Sequence, residues 1–351
     1  MAVSPLLASM THGFLSSQSS RALQVPPRTG ADAAEISKPP TIVAQPGTTA
    51  PAPNPMQPPA KTPAPAVPVT PGSQGSTPAP VPADQSAASQ PSPQAPTRLT
   101  VQHYAGGSAT DIPEVPVRVG IVLDQSQLTL ATANAGVITD EQGQVLQSLA
   151  PQTATAAVFS SGGVQIGSLS PRRSVWVQSA SNGLTYVNGR WYRGAIELIA
   201  DQGKVLAVNH IEMQPYLYSV VGAEMYQSWP AEALKAQAIA ARSYALVHIV
   251  RPASHYFDLG ATQRWQAYKG VETEAGSTLA AVDATHGMII SYDGGVVESL
   301  YASSDSLVRE AHSGFGMSQH SARDLAQQNL SFSQILNRFY PGTHLALLQA
   351  E

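Results

Sequence analysis

One stretch limits what this chain can fold into before anything else is read. Between Phe14 and Tyr104 there is no Phe, Trp or Tyr, and 21 of the 29 prolines fall in residues 1–100. Such a segment cannot bury enough apolar surface to offset the entropy of ordering its backbone. Pro39 to Pro96 is mostly Pro, Ala, Gln, Ser and Thr, a composition that favours extended, polyproline-like conformations. The sequence therefore predicts a disordered arm over residues 1–109 and one folded domain over residues 110–351. The arm reads either as a tether across a crowded layer such as a cell envelope or as a passive linker.

Composition removes several function classes. The chain has no cysteine, which excludes disulfide frameworks, thiolate zinc sites, iron–sulfur clusters and thiol nucleophiles. The arm holds five basic and three acidic residues, so with a net charge of -4 overall the remainder carries -6. A folded part that acidic is a poor nucleic-acid binder, and no nucleic-acid partner is expected. No apolar run reaches the roughly 18 residues of a membrane-spanning helix. Residues 2–15 are mildly apolar, but no Lys or Arg precedes Arg21, so a secretory leader is not clear.

The folded part changes period midway. Val117 to Val208 reads as a series of strands. Val117–Leu123 is a near-continuous apolar run, residues 128–133 alternate, and Val175-Trp176-Val177 is a strand core. Asn188-Gly189 between Leu184–Val187 and Arg190–Leu198 is a hairpin signal, and Asp201-Gln202-Gly203 turns into Lys204–Val208. Closely spaced strands of this kind predict a meander or small barrel. From Pro215, a plausible first-turn residue, the spacing becomes helical. A second helix begins near Ser228-Trp229-Pro230, with Leu234, Ala238, Ala241, Ala245 and His248 on one alanine-rich face. Strands at Ile289–Tyr292 and Val296–Tyr301 flank an Asp293-Gly294-Gly295 turn. Helices over Ala322–Gln328 and Phe332–Phe339 follow, and Pro341-Gly342 stops the last one. The expected class is α+β: a β-rich N-terminal meander or small barrel, then an α-helical core with short strands.

Glu224 is the first residue that could carry chemistry. It lies where one helix ends and the next begins, with Met225, Tyr226 and Trp229 close in sequence. An apolar or aromatic setting raises a carboxyl pKa, and a Glu protonated near neutral pH can serve as a general acid. The alternative is an ordinary acidic residue at a helix terminus. Asp258, Glu272 and Glu274 could supply a second carboxylate or be solvated loop acids. Ser303, Ser304 and His312 lack the strand-to-helix elbow of a serine hydrolase, and His312 with His320 lacks zinc-ligand spacing. Gly314-Phe315-Gly316 is a tight turn rather than a phosphate loop. Lys235 and Arg242 share a side of the second helix, either facing an anionic ligand near Glu224 or solvated.

Tyr216 to Leu246 reads YLYSVVGAEMYQSWPAEALKAQAIAARSYAL. This resembles the core motif of the SpoIID/LytB family, the stage II sporulation protein D and amidase-enhancer group. Three further blocks fit the same pattern. They are Asp258, Thr262, Gln266, Tyr268 and Gly270; then Ala281-Val282, Thr285, Gly287, Tyr292, Tyr301 and Ser303-Ser304; then Gly314 to Gln319 with Ile335-Leu336 and Tyr340-Pro341-Gly342. The resemblance covers about Val117 to Leu348.

The resemblance implies an extracytoplasmic protein of the cell envelope acting on peptidoglycan, with Glu224 as catalytic acid. The implied reaction is that of a lytic transglycosylase, a lyase leaving 1,6-anhydro-muramoyl ends, which needs neither a second carboxylate nor a cofactor. Gln266, Tyr268, Lys235 and Arg242 are the expected substrate contacts. A peptidoglycan-binding amidase enhancer without turnover is the alternative, with a cell-wall amidase as partner. An open groove at Glu224 would separate the two. The chain departs from the family in three places. Ser304-Asp305-Ser306 stands where Ser-Gly-Gly is usual. Only seven residues lie between Ser304 and His312, where the family has a long stretch. Ser313 stands directly before Gly-Phe-Gly, where the family has His. Without Cys in the Asp258–Thr262 block, no zinc is expected.

Overall fold

The computed structural model describes residues 21–22, 99–104 and 112–350, which all belong to one unit. Most of the arm expected over residues 1–109 lies outside the described residues. The class is α+β, with many strands ahead of a helical core. A seven-stranded sheet runs in the order Leu259–Gly260, Pro116–Gln125, Lys204–Glu212, Ala195–Asp201, Ser174–Ser179, Gly136–Thr139, Val145–Leu149. Its pairings are antiparallel except that Leu259–Gly260 runs parallel to Pro116–Gln125. A five-stranded antiparallel sheet packs on it, in the order Arg190–Tyr192, Thr185–Val187, Gln127–Thr132, Thr155–Ser160, Gly163–Ile166. The expected meander or small barrel is thus two sheets facing each other. Leu128, Leu130, Ile138, Ile166, Val177, Ile196 and Leu198 point between them into one core.

Turn chemistry sets the register as the sequence suggests. Val187 pairs with Arg190 across Asn188 (φ 44°) and Gly189 (φ 102°), two left-handed residues that match the twist of a hairpin. The Asn188 side chain also accepts the Thr129 N–H at 2.8 Å, joining the turn to a third strand. Asp201 pairs with Lys204 across Gln202 and Gly203 in the same way.

Six α-helices follow among the described residues: α1 (Met213–Glu224), α2 (Ala231–Val250), α3 (Gly276–Ala284), α4 (Asp305–His312), α5 (Gln319–Gln327) and α6 (Phe332–Phe339). Helix α1 starts two residues before Pro215, because the Met213 N–H is satisfied by the Val115 carbonyl at 2.8 Å. The single alanine face expected on α2 is a correction. Ala233 through Val247 are all buried except Lys235, and α1, α3, α5, α6 and the strand Met288–Tyr292 surround the helix. Alanines at 233, 236, 238, 240 and 241 let neighbours approach from several sides, which makes α2 the axis of the core.

Two strands at the ends of the folded part close it. Leu99–His103 pairs antiparallel with His344–Ala350, which pairs with Met288–Tyr292, and Arg21–Ala22 pairs with the outer edge. The folded part therefore reaches further toward the N-terminus than a boundary at residue 110, since these backbone groups complete a sheet. The strand expected over Val296–Tyr301 is broken: Gly295–Val296 closes a hairpin, and Tyr301–Ala302 pairs in parallel with Met317–Ser318. Among the described residues no helix is long and apolar enough to cross a membrane.

Gly222 in α1 meets the turn Gly270–Thr273 so closely that a Cβ there would stand 1.9 Å from the Thr273 carbonyl oxygen. Alanine would gain about 1 kcal/mol of helix propensity. Backbone overpacking costs about 1–3 kcal/mol or more, so the clash wins. Gly222→Ala is expected to lower Tm by about 5 °C in calorimetry. An unchanged Tm would mean the two elements separate freely.

Candidate functional site

Glu224 is the last residue of α1 and is half-buried. Its Oε1 accepts the Ala267 backbone N–H at 2.7 Å, while Oε2 takes a longer contact of 3.4 Å from the Gln319 side chain. Burial raises its pKa above the usual carboxyl value; the two donors and the charge of Lys269 only partly oppose this. The negative end of the α1 dipole acts in the same direction as burial. One oxygen is thus pinned by a strong donor, and the other is the better seat for a proton.

The scaffold around the carboxylate is made of side chains that satisfy one another. Gln266 accepts from the Tyr216 hydroxyl at 2.8 Å and donates to the Ala241 carbonyl at 3.0 Å and the Tyr301 hydroxyl at 2.9 Å. Fixing Gln266 fixes the Ala267 N–H that follows it. Gln319, the first residue of α5, is capped into place by Ser318 and also lies 3.4 Å from the buried Gln237. Lys269 is half-buried, with no ion pair among the described residues.

The expected substrate contacts are placed differently from the sequence reading. Gln266 is 0 %, Tyr268 1 % and Arg242 1 % exposed, so none of the three presents a surface to a ligand. Tyr268 donates to Asn209 at 2.6 Å, and Arg242 donates to the Met288 carbonyl at 2.9 Å. Burial pulls the Arg242 pKa down. These polar residues serve packing, because a buried backbone carbonyl or phenol requires a partner. Lys235 is half-buried, paired with Glu232 at 2.7 Å and lying over the Phe332 ring.

The three other carboxylates considered as partner acids each have an arginine. Asp258 is buried; its Oδ1 accepts from Nε and Nη2 of Arg118 and its Oδ2 from the Arg118 backbone N–H, which corrects its reading as a solvated loop acid. Glu274 pairs with Arg193 at 2.7 Å and the exposed Glu272 with Arg190 at 3.2 Å. Ser304 caps α4, and the His312 ring contacts the Tyr301 carbonyl. The short stretch between Ser304 and His312 is thus a two-turn helix. A concavity of about 430 Å³ lined by Tyr104, Ile290, Phe332 and Leu345 has no carboxylate on its wall.

Sequence reading did not single out Gln319, Lys269 or the Ala267 N–H. Gln319 had a signal, since it closes the Gly-Phe-Gly-Met-Ser-Gln block and follows a capping serine. A backbone donor leaves no trace in residue type.

Residues 201–292 match the family model SpoIID, stage II sporulation protein, a span that holds Glu224, Gln266 and Lys269. An uncharacterised protein of Brachyspira hyodysenteriae is 32 % identical over 162 residues, 46 % of this chain and 44 % of that one. The amidase enhancer of Bacillus subtilis is 36 % identical over 95 residues, 27 % of this chain and 12 % of that one. The chain spans less than half the length of these curated relatives. Over the matched segment the resemblance to the SpoIID/LytB family is shown.

Proposed function

We propose that this chain cleaves the glycan strands of cell-wall peptidoglycan as a lytic transglycosylase, outside the cytoplasm, with Glu224 as both acid and base. The observation that carries this reading is a half-buried carboxylate at the end of α1 whose pKa is raised, held by Ala267 and Gln319, while the candidate partner acids Asp258, Glu272 and Glu274 are tied to arginines. A two-carboxylate hydrolase needs a partner acid at a set separation. A transglycosylase does not, because the nucleophile belongs to the substrate.

The proton on Glu224 passes to the glycosidic oxygen leaving C1 of N-acetylmuramic acid, and that bond breaks. The 6-hydroxyl oxygen of the same sugar bonds to C1, and its proton returns to the Glu224 carboxylate. No water is consumed, and the product ends in a 1,6-anhydro ring. The N–H of Ala267 and the amide of Gln319 stabilise the carboxylate between the two transfers. The raised pKa brings it toward the working pH, which a residue serving as acid and then base requires.

Full-length chain incubated with peptide-free strands is expected to release fragments that mass spectrometry identifies as anhydro-ended. Ordinary reducing ends would make water the nucleophile and overturn the mechanism. The pH profile gives a second test. With Glu224 as acid, kcat/KM falls as pH rises through its pKa. Gln319→Ala removes a donor to the charged form, so that fall is expected to move to higher pH. A shift to lower pH would contradict the assigned contact.

The second reading is a strand-binding protein that raises the activity of a cell-wall amidase without turnover. Similarity to the Bacillus subtilis amidase enhancer supports it. The same digest separates the two, since this protein would bind strands and leave them whole.

A further inference from the structure

Three rings beside Glu224 take no part in the proton transfers. Tyr226 is 71 % exposed, Trp229 is half-buried with part of its ring against the core, and His320 is exposed. Ring centroids lie 5.6 Å apart for Tyr226 and Trp229, and 5.5 Å apart for Trp229 and His320. The Arg323 guanidinium lies 5.3 Å from the Trp229 ring. The rings thus form a continuous ridge rather than scattered exposed residues.

The ridge is built on the elements that hold the acid. Tyr226 comes two residues after Glu224, and His320 directly follows Gln319, which contacts Glu224. The turn carrying Tyr226 and Trp229 is pinned, since Trp229 N–H donates to the Tyr226 carbonyl at 3.0 Å and Ser277 donates to the Gln227 carbonyl at 2.7 Å. The backbone that carries two of the rings is therefore held before any ligand arrives, which reduces the entropy lost on binding. An exposed aromatic edge costs solvation unless something apolar covers it.

We infer that Tyr226, Trp229 and His320 form a stacking platform for the pyranose rings of a glycan strand next to the bond that Glu224 attacks. A pyranose presents a face of C–H groups that suits the electron-rich face of an aromatic ring, with hydroxyls left at the rim for solvent. The occupant is a sugar chain rather than a peptide because Tyr226 follows Glu224 by two residues and His320 follows Gln319, the residue that contacts Glu224. This rests on the proposed function.

The test is calorimetric binding of peptide-free glycan strands to full-length Glu224→Gln, which cannot turn them over, alone and combined with Tyr226→Ala, Trp229→Ala or Trp229→Phe. Each alanine is expected to weaken binding about three- to tenfold, while phenylalanine holds it within about twofold. Trp229→Ala exposes part of the core, so thermal melts accompany it; Tyr226→Ala is expected to melt as Glu224→Gln does. Equal affinities for Tyr226→Ala and Glu224→Gln, with Glu224→Gln binding strands, overturn the platform and leave the cleavage reading intact. Ridge-dependent binding by a wild type that releases no fragments keeps the platform and overturns the cleavage. No strand binding by Glu224→Gln overturns the platform, and the cleavage reading falls with it when the wild type also releases no fragments.

Discussion

Glu224→Gln is expected to lower kcat/KM on peptide-free strands by about 10²–10⁴-fold, the usual worth of a positioned acid or base. The isostere keeps the shape and the shorter of the two contacts, while its amide nitrogen replaces the oxygen that accepts the longer one from Gln319. Its amide oxygen can still accept the Ala267 N–H that now holds Oε1 at 2.7 Å, so the loss reports the missing proton rather than a collapsed site. A quenched-digest time course checks the rate, and undiminished release of anhydro ends would place the acid elsewhere. The same variant is expected to gain stability. Because burial raises the folded-state pKa above the unfolded one, Glu224 binds its proton more tightly in the fold. Its contribution is fully present below the unfolded pKa of about 4.3 and is lost as pH rises through the folded value. A neutral glutamine escapes that loss. Its Tm should exceed that of the wild type at pH 7, with the gap closing in acid. Rate lost while stability is gained marks a group kept for chemistry at a cost to the fold.

The order of elements was legible because its signals are local. Asn188-Gly189 specifies its hairpin through backbone conformations open to few residues, and the fold adopts it. The Ser331 cap with Gln334 starts α6 where periodicity places a helix. Glu224 stood out by lying between two helical patterns beside Tyr226 and Trp229. What could not be read is long-range. Leu99–His103 and His344–Ala350 pair across more than two hundred residues, and neither has a partner nearby in the chain. Helix α4 fills the shortened stretch with a hydrophilic sequence whose helical signal rests on the Ser304 cap. Polarity alone does not tell a ligand contact from a buried partner. Gln266, Tyr268 and Arg242 look like ligand contacts in a functional segment, yet each meets a buried carbonyl, phenol or amide. Only the three-dimensional count of donors and acceptors shows why the chain places polar groups there.

Gln266→Leu turns that distinction into a measurement. The side chain is 0 % exposed and makes three contacts, to Tyr216, Ala241 and Tyr301. Leucine fills similar volume but leaves two phenols and a carbonyl without that partner. At about 1–3 kcal/mol for each buried group left unsatisfied, the loss is about 3–5 kcal/mol after partial relaxation. Against a total stability of about 5–15 kcal/mol that is severe, and Tm should fall by about 10 °C or more. A ligand contact would behave in the opposite way, raising KM and leaving Tm alone. Below the melting range, the variant is expected to keep its KM and to lose kcat, because Ala267, whose N–H holds Glu224, follows directly in the chain. Tyr226→Ala should show the mirror image, with strand affinity lost and Tm kept. If Gln266→Leu raised KM at an unchanged Tm, the buried network would have to open to admit substrate, and the ridge would no longer account for binding by itself.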